Sequence, residues 1–197
     1  MGDEKRVGDK DHTVTLYSPQ SESVVRALER DGTCHSKKSF VLEKYGESAP
    51  IFVAVYDWFV KEAEKYLLRP PKAEYPYWAV LDKRNVDASA GGRVLRLNVP
   101  ASEAIFFDLY DWQKLLCLQY LGETAADESR FRQEMADSGV HRAMDVVLTN
   151  FYPDLKRQVL ESWQRLFRHH EKIKAGGNHG VENVQAALWR LKKEWIQ

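Results

Sequence analysis

Within this 197-residue chain, the stretch over residues 50–67 does most to limit the possible folds. Pro50 is suited to a helix's first turn, where its missing N–H costs nothing. From there Phe52, Val55, Tyr56, Phe59, Ala63, Tyr66 and Leu67 recur at helical spacing on one face, and Arg69-Pro70-Pro71 ends the run. So broad an apolar stripe must be covered by another layer. Segments of period two supply it. Residues 13–17 alternate β-branched and apolar side chains, and residues 77–81 read as a second strand. Leu95, Leu97 and Val99 alternate with Val94, Arg96 and Asn98, while Val184, Ala186 and Leu188 alternate with Gln185, Ala187 and Trp189. The expectation is an α+β domain with a small, largely antiparallel central sheet flanked by four or five helices.

Local signals place the remaining elements. Ser21 can cap a helix reaching about Arg30, which Gly32 stops. Asp108 stands at an N-cap position before a helix expected over residues 109–121, with Asp111 in the place of a capping-box acid. Residues 127–136 form a charged helix, residues 146–148 a short strand, and a helix from Pro153 buries Leu155, Val159, Trp163, Leu166 and Phe167. Residues 174–180 are a loop. The length suits one domain, read as residues 13–197 after a charged, glycine-punctuated leader over residues 1–12 that we expect to be flexible.

Charge and motifs narrow the function classes. Lys+Arg and Asp+Glu both number 29, a balance that argues against a protein devoted to nucleic-acid phosphates or an anionic membrane. The longest apolar run, residues 51–60, is interrupted by Asp57 and too short to span a bilayer. Cys34 and Cys117 are far apart and form no CxxC, so the chain reads as cytoplasmic, without a disulfide framework. Cys117, within an apolar tetrad, reads as a small core residue, and Cys34-His35 as a surface turn. His169-His170 and His179 lack the spacing of a metal site, and no metal is expected; imidazoles at a helix end suit its dipole. Gly91-Gly92 and Gly176-Gly177 lack the context of phosphate-binding loops.

Six tryptophans, nine tyrosines and eight phenylalanines leave either a large core or a stacking pocket. Trp163 belongs to a core stripe, whereas Trp58 lies opposite the Phe52/Phe59 stripe. Trp78 on one strand, with Gln185 and Trp189 sharing a face of another, can form a slot in which a planar ring is sandwiched and an amide reads its edge.

Six fragments in order resemble the bacterial family of domain of unknown function 3841. They are Leu16-Tyr17-Ser18-Pro19-Gln20, Val55-Tyr56-Asp57-Trp58-Phe59, Tyr75-Pro76-Tyr77-Trp78-Ala79, Phe107-Asp108-Leu109-Tyr110-Asp111-Trp112, Ser162-Trp163-Gln164-Arg165-Leu166-Phe167 and Val184-Gln185-Ala186-Ala187-Leu188-Trp189. Tyr17 stands where that family favours tryptophan, and Val80 where it often has a second one. The order of elements also resembles small ADP-ribosyltransferase-type domains. That resemblance implies a nucleotide- or NAD-directed effector or modifier, with NAD as cofactor and Tyr17, Ser18 and Gln185 in catalytic positions. A glutamine cannot act as a carboxylate, which leaves a second class open. In it the chain is a noncatalytic binding module for a planar ligand, nucleobase or partner peptide, using Gln20, Trp58, Trp78, Trp112 and Trp189.

Overall fold

The computed structural model describes residues 12–87, 89, 91–177 and 180–197. Residues 1–11 of the expected leader and His179 lie outside the described residues. In chain order the elements are β1 (Thr13–Gln20), α1 (Glu22–Asp31), β2 (Thr33–Cys34), α2 (Lys38–Tyr45), α3 (Ala49–Ala63), β3 (Tyr77–Val80), β4 (Arg93–Pro100), β5 (Ala104–Asp108), α4 (Leu109–Leu116), α5 (Ala125–Asp137), α6 (Ala143–Val147), α7 (Pro153–Ser162), α8 (His170–Lys174), β6 (Val184–Leu188) and β7 (Leu191–Lys192). Five strands form one sheet in the order β4-β1-β3-β6-β5, every neighbouring pair antiparallel. The α+β class with an antiparallel sheet is therefore correct. β2 and β7 make a separate two-stranded ladder. Six helices among the described residues have eight residues or more. One of them, α2, has no apolar periodicity to announce it.

The caps act as local chemistry dictates. Ser21 accepts from the Val24 N–H, and Gly32 closes α1 with φ at 72° and its N–H on the Leu28 carbonyl. Asp108 accepts from the N–H groups of Tyr110 and Asp111. Asp111 does not complete a capping box. Its carboxylate takes the Arg168 guanidinium at 2.8 Å instead, because the first turn of α4 is buried against the segment that carries Arg168. At the sheet corner Gly92 has φ of 96° and lies so near β1 that a Cβ would stand 2.3 Å from the Gln20 carbonyl oxygen. No other residue fits there.

Each face of the sheet has its own core. Leu16, Tyr77, Ala79, Leu95, Leu97, Val99, Phe106, Val184, Ala186 and Leu188 pack on one face with α1 and α8 through Val25, Leu28 and Ile173. The other face meets α3, α4, α5 and α7, where Ile105, Phe107 and Ala187 join Phe59, Trp112, Phe131, Val159 and Trp163. Four local expectations change. Residues 146–148 fall at the end of α6 rather than in a strand, since Val146 and Val147 pack into the helical layer and no strand pairs there. α4 stops at Leu116, and Cys117 is exposed because Leu115 and Leu118 occupy the inward positions. Cys34 belongs to β2 and is half-buried rather than in a surface turn.

Candidate functional site

The second face of the sheet is roofed over only part of its width. The buried cluster beneath α3, α4 and α7 draws on β5 and β6 and takes Trp78 of β3 as a partly buried neighbour, but includes nothing from β1 or β4. On those two strands Thr15, Tyr17, Pro19 and Asn98 are half-buried, and Val94 and Arg96 are exposed. The result is a step. Among the described residues an aromatic roof ends near β3, and a half-buried to exposed ledge continues to β4, whose outer edge pairs with Ile196 and Gln197.

One cross-strand row runs along this step. Arg96 pairs with Tyr17, Tyr17 with Val80, Val80 with Gln185, and Gln185 with Phe107. Directly opposed residues in antiparallel strands share a face, so all five side chains belong to the roofed-and-bare side. Tyr17 and Gln185 are two strand spacings apart, roughly 10 Å, with the short Val80 between them. Gln185 is only 7% exposed, and its Oε1 is shut off from solvent without a hydrogen-bond partner among the described residues. Such an oxygen costs about 1–3 kcal/mol, so its retention asks for a donor.

The roof beside Gln185 is aromatic. Trp78, two residues from Val80 on the same face, packs against Trp112 with ring centroids 4.5 Å apart and against Tyr56 and Phe59 at 5.2 Å. Phe107 lies 5.7 Å from Trp112 and 5.6 Å from Phe59. The Trp78 indole N–H donates to the Tyr56 hydroxyl at 3.0 Å, and burial pushes the Tyr56 phenol well above its ordinary range. Tyr75 donates to Asp57 at 2.6 Å, and burial, followed by that carboxylate, raises its phenol too. These hydroxyls stay protonated and act as fixed hydrogen-bonding groups.

A family model described as a domain of unknown function (DUF3841) matches residues 15–197. The chain belongs to the DUF3841 family. No curated protein and no solved structure matches it.

Of the expected site residues in this DUF3841 chain, Tyr17, Trp78 and Gln185 share the stepped face. Ser18 and Gln20 lie on the other face with Leu16, by strand alternation. Ser18 is fully buried and donates to the Trp78 carbonyl at 2.6 Å, while the Gln20 amide donates to the Ser18 hydroxyl at 2.8 Å. Both hydrogen-bond within that face. Trp112 is a roof residue, 3% exposed. Trp189 is equally buried, and its indole N–H donates to the Leu67 carbonyl at 2.9 Å, a core role that takes it out of the slot. Trp58 sits elsewhere, half-buried against Trp163 and Phe167. It lines a depression of about 410 Å³ with Asn150, Pro153, Lys156 and Leu160.

A second depression, about 440 Å³, is lined by Lys38, Asp57, Lys61, Glu64, Arg69 and Tyr75 among others. Four of its charges pair with one another, Lys38 with Asp57 at 2.9 Å and Arg69 with Glu64 at 2.7 Å. His170 begins α8 rather than ending a helix. It is 1% exposed, and its Nδ1 accepts the Phe106 backbone N–H at 3.1 Å. No group of three or more His, Cys, Asp or Glu side chains among the described residues could hold a metal. Arg96 carries no local signal of a site residue. Alternation does put it opposite Leu95 and Leu97, but its pairing with Tyr17 is a long-range fact.

Proposed function

We propose that this chain is a binding module for a planar, hydrogen-bond-donating ring, of the kind found in nucleobases and nicotinamide, held at the step between Tyr17 and Gln185. The observation that carries the reading is the buried Gln185 Oε1, without a partner among the described residues, in a row with a half-buried tyrosine. A ring N–H or exocyclic amine would satisfy that oxygen and the Tyr17 ring would offer a stacking face, with the buried Val80 as the apolar floor between them. A small-molecule role in the cytoplasm agrees with two free, separated cysteines and no net charge. Among the described residues no helix is long and apolar enough to cross a membrane.

An ADP-ribosyltransferase-like activity on NAD is the second reading, supported by the order of elements and by the late-strand position of Gln185. In the row from Arg96 to Phe107 there is no carboxylate to stabilise positive charge on a sugar, which favours binding over transfer. Titrating nucleosides, nucleobases and nicotinamide while following tryptophan fluorescence tests the binding reading. Quenching in the wild type that is lost in Gln185→Leu is the expected result, and a flat titration across the panel overturns it. Incubation with labelled NAD and cell lysate separates the two. Transferred label or released nicotinamide would move the assignment to a transferase.

A further inference from the structure

We infer that the ligand of this step is a free nucleotide rather than a bare ring, with its phosphate on Arg96; the inference rests on the binding reading above. Arg96 is exposed at the β4 end of the row, where its backbone carbonyl accepts the Gln197 N–H at 3.0 Å, and its side chain makes no ion pair among the described residues. By contrast, Arg93 on the same strand faces Glu22 and Glu29 of α1, across the sheet. Beside the Tyr17/Arg96 pair, on the same face, stands the Thr15/Asn98 pair, both half-buried and polar.

The stepped face is therefore divided along its width. Toward Gln185 it is aromatic with one buried acceptor, and toward β4 it is a ledge of hydroxyl, amide and guanidinium. A nucleotide is divided the same way, with a flat ring at one end and a hydroxylated sugar and phosphate at the other. Three strand spacings separate the Arg96 and Gln185 backbones, roughly 14 Å. Tyr17 and Val80 stand between them on the same face, so a ligand spanning that distance, about one nucleotide's length, would lie across the Tyr17 ring. Guanidinium suits phosphate because its planar fork donates in pairs, and a charge-assisted contact of this kind is stronger than a neutral one. The balanced net charge favours a free nucleotide over a polynucleotide strand.

The test compares adenosine, guanosine, cytidine and uridine with their 5′-monophosphates, by tryptophan fluorescence and calorimetry, on the full chain. For at least one pair the monophosphate should bind about tenfold tighter or more, with the advantage shrinking as salt is raised. Arg96→Ala should bring that ratio to about one while leaving the nucleoside affinity within about twofold, and Arg96→Lys should restore part of it. Because Arg96 is exposed, neither variant threatens the fold. Nucleoside binding without a phosphate advantage, or an advantage that survives Arg96→Ala, overturns this inference and leaves the binding reading standing. Affinity that climbs with the length of a single-stranded oligonucleotide overturns it in favour of nucleic acid. No binding by any nucleoside or nucleotide removes both.

Discussion

At Gln185 the fold keeps an amide oxygen in a dry place with no donor among the described residues, and leucine is close to it in volume. Gln185→Leu should therefore raise stability while removing ligand binding, the trade expected where function holds a position away from its stability optimum. About 1 kcal/mol would shift the melting temperature by roughly 2–4 °C in a domain of this size, readable by calorimetry. A drop in melting temperature would mean that the amide is structurally required. The alternation around Gln185 was legible in the sequence, and so was the face it shares with Trp189. What could not be read was that Trp189 spends its N–H on Leu67 and closes into the core, leaving the amide without an indole partner. Ser18 and Gln20 mislead for a similar reason. They neighbour Tyr17 in sequence, but a strand turns successive side chains to opposite faces.

Among the elements, α4 matters most to the step, because it carries Trp112 over Trp78 and Phe107. Its start depends on Asp108, whose carboxylate holds two backbone N–H groups. Asp108→Ala should cost about 1 kcal/mol, and Asp108→Ser should recover most of it. Urea titration measures the loss, and a change in tryptophan emission would report loosening of Trp112. An unchanged urea midpoint would show that packing alone starts α4. Such caps are readable because they act within a few residues. Element types were harder where local and distant forces compete: α2 lacks a periodic stripe, and residues 146–148 look strand-like but meet only helices. β-branched residues favour strands only where a neighbouring strand is available to pair.

For the whole molecule, His170 ties α8 to β5 and so couples one helical layer to the sheet. Burial, above all, lowers its imidazole pKa to about 4, with nearby Lys174 adding to the shift and Glu171 opposing it. Between about pH 6.5 and 4 the unfolded chain binds a proton that the folded one refuses, so stability rises with pH across that window. The contribution is complete above pH 6.5, and roughly 3 kcal/mol is lost as pH falls through the folded value. His170→Asn, whose amide oxygen can take over the Phe106 N–H, should flatten this window in urea midpoints measured from pH 7 to 4. An unchanged slope would place the acid sensitivity elsewhere.

By itself the sequence determined the α+β class, the strands and helices with strong periodicity, the caps, the balanced charge and the family resemblance of its ordered aromatic fragments. These are properties of short windows, where spacing and side-chain chemistry act directly on the backbone. Only the tertiary structure decided that Tyr17, Val80 and Gln185 form one row, that Arg96 lies at its β4 end, and that the roof ends near β3. Strand order and register are set by which faces can be buried together across the whole chain. Positions remote in sequence become neighbours through that global packing, and no local pattern records it.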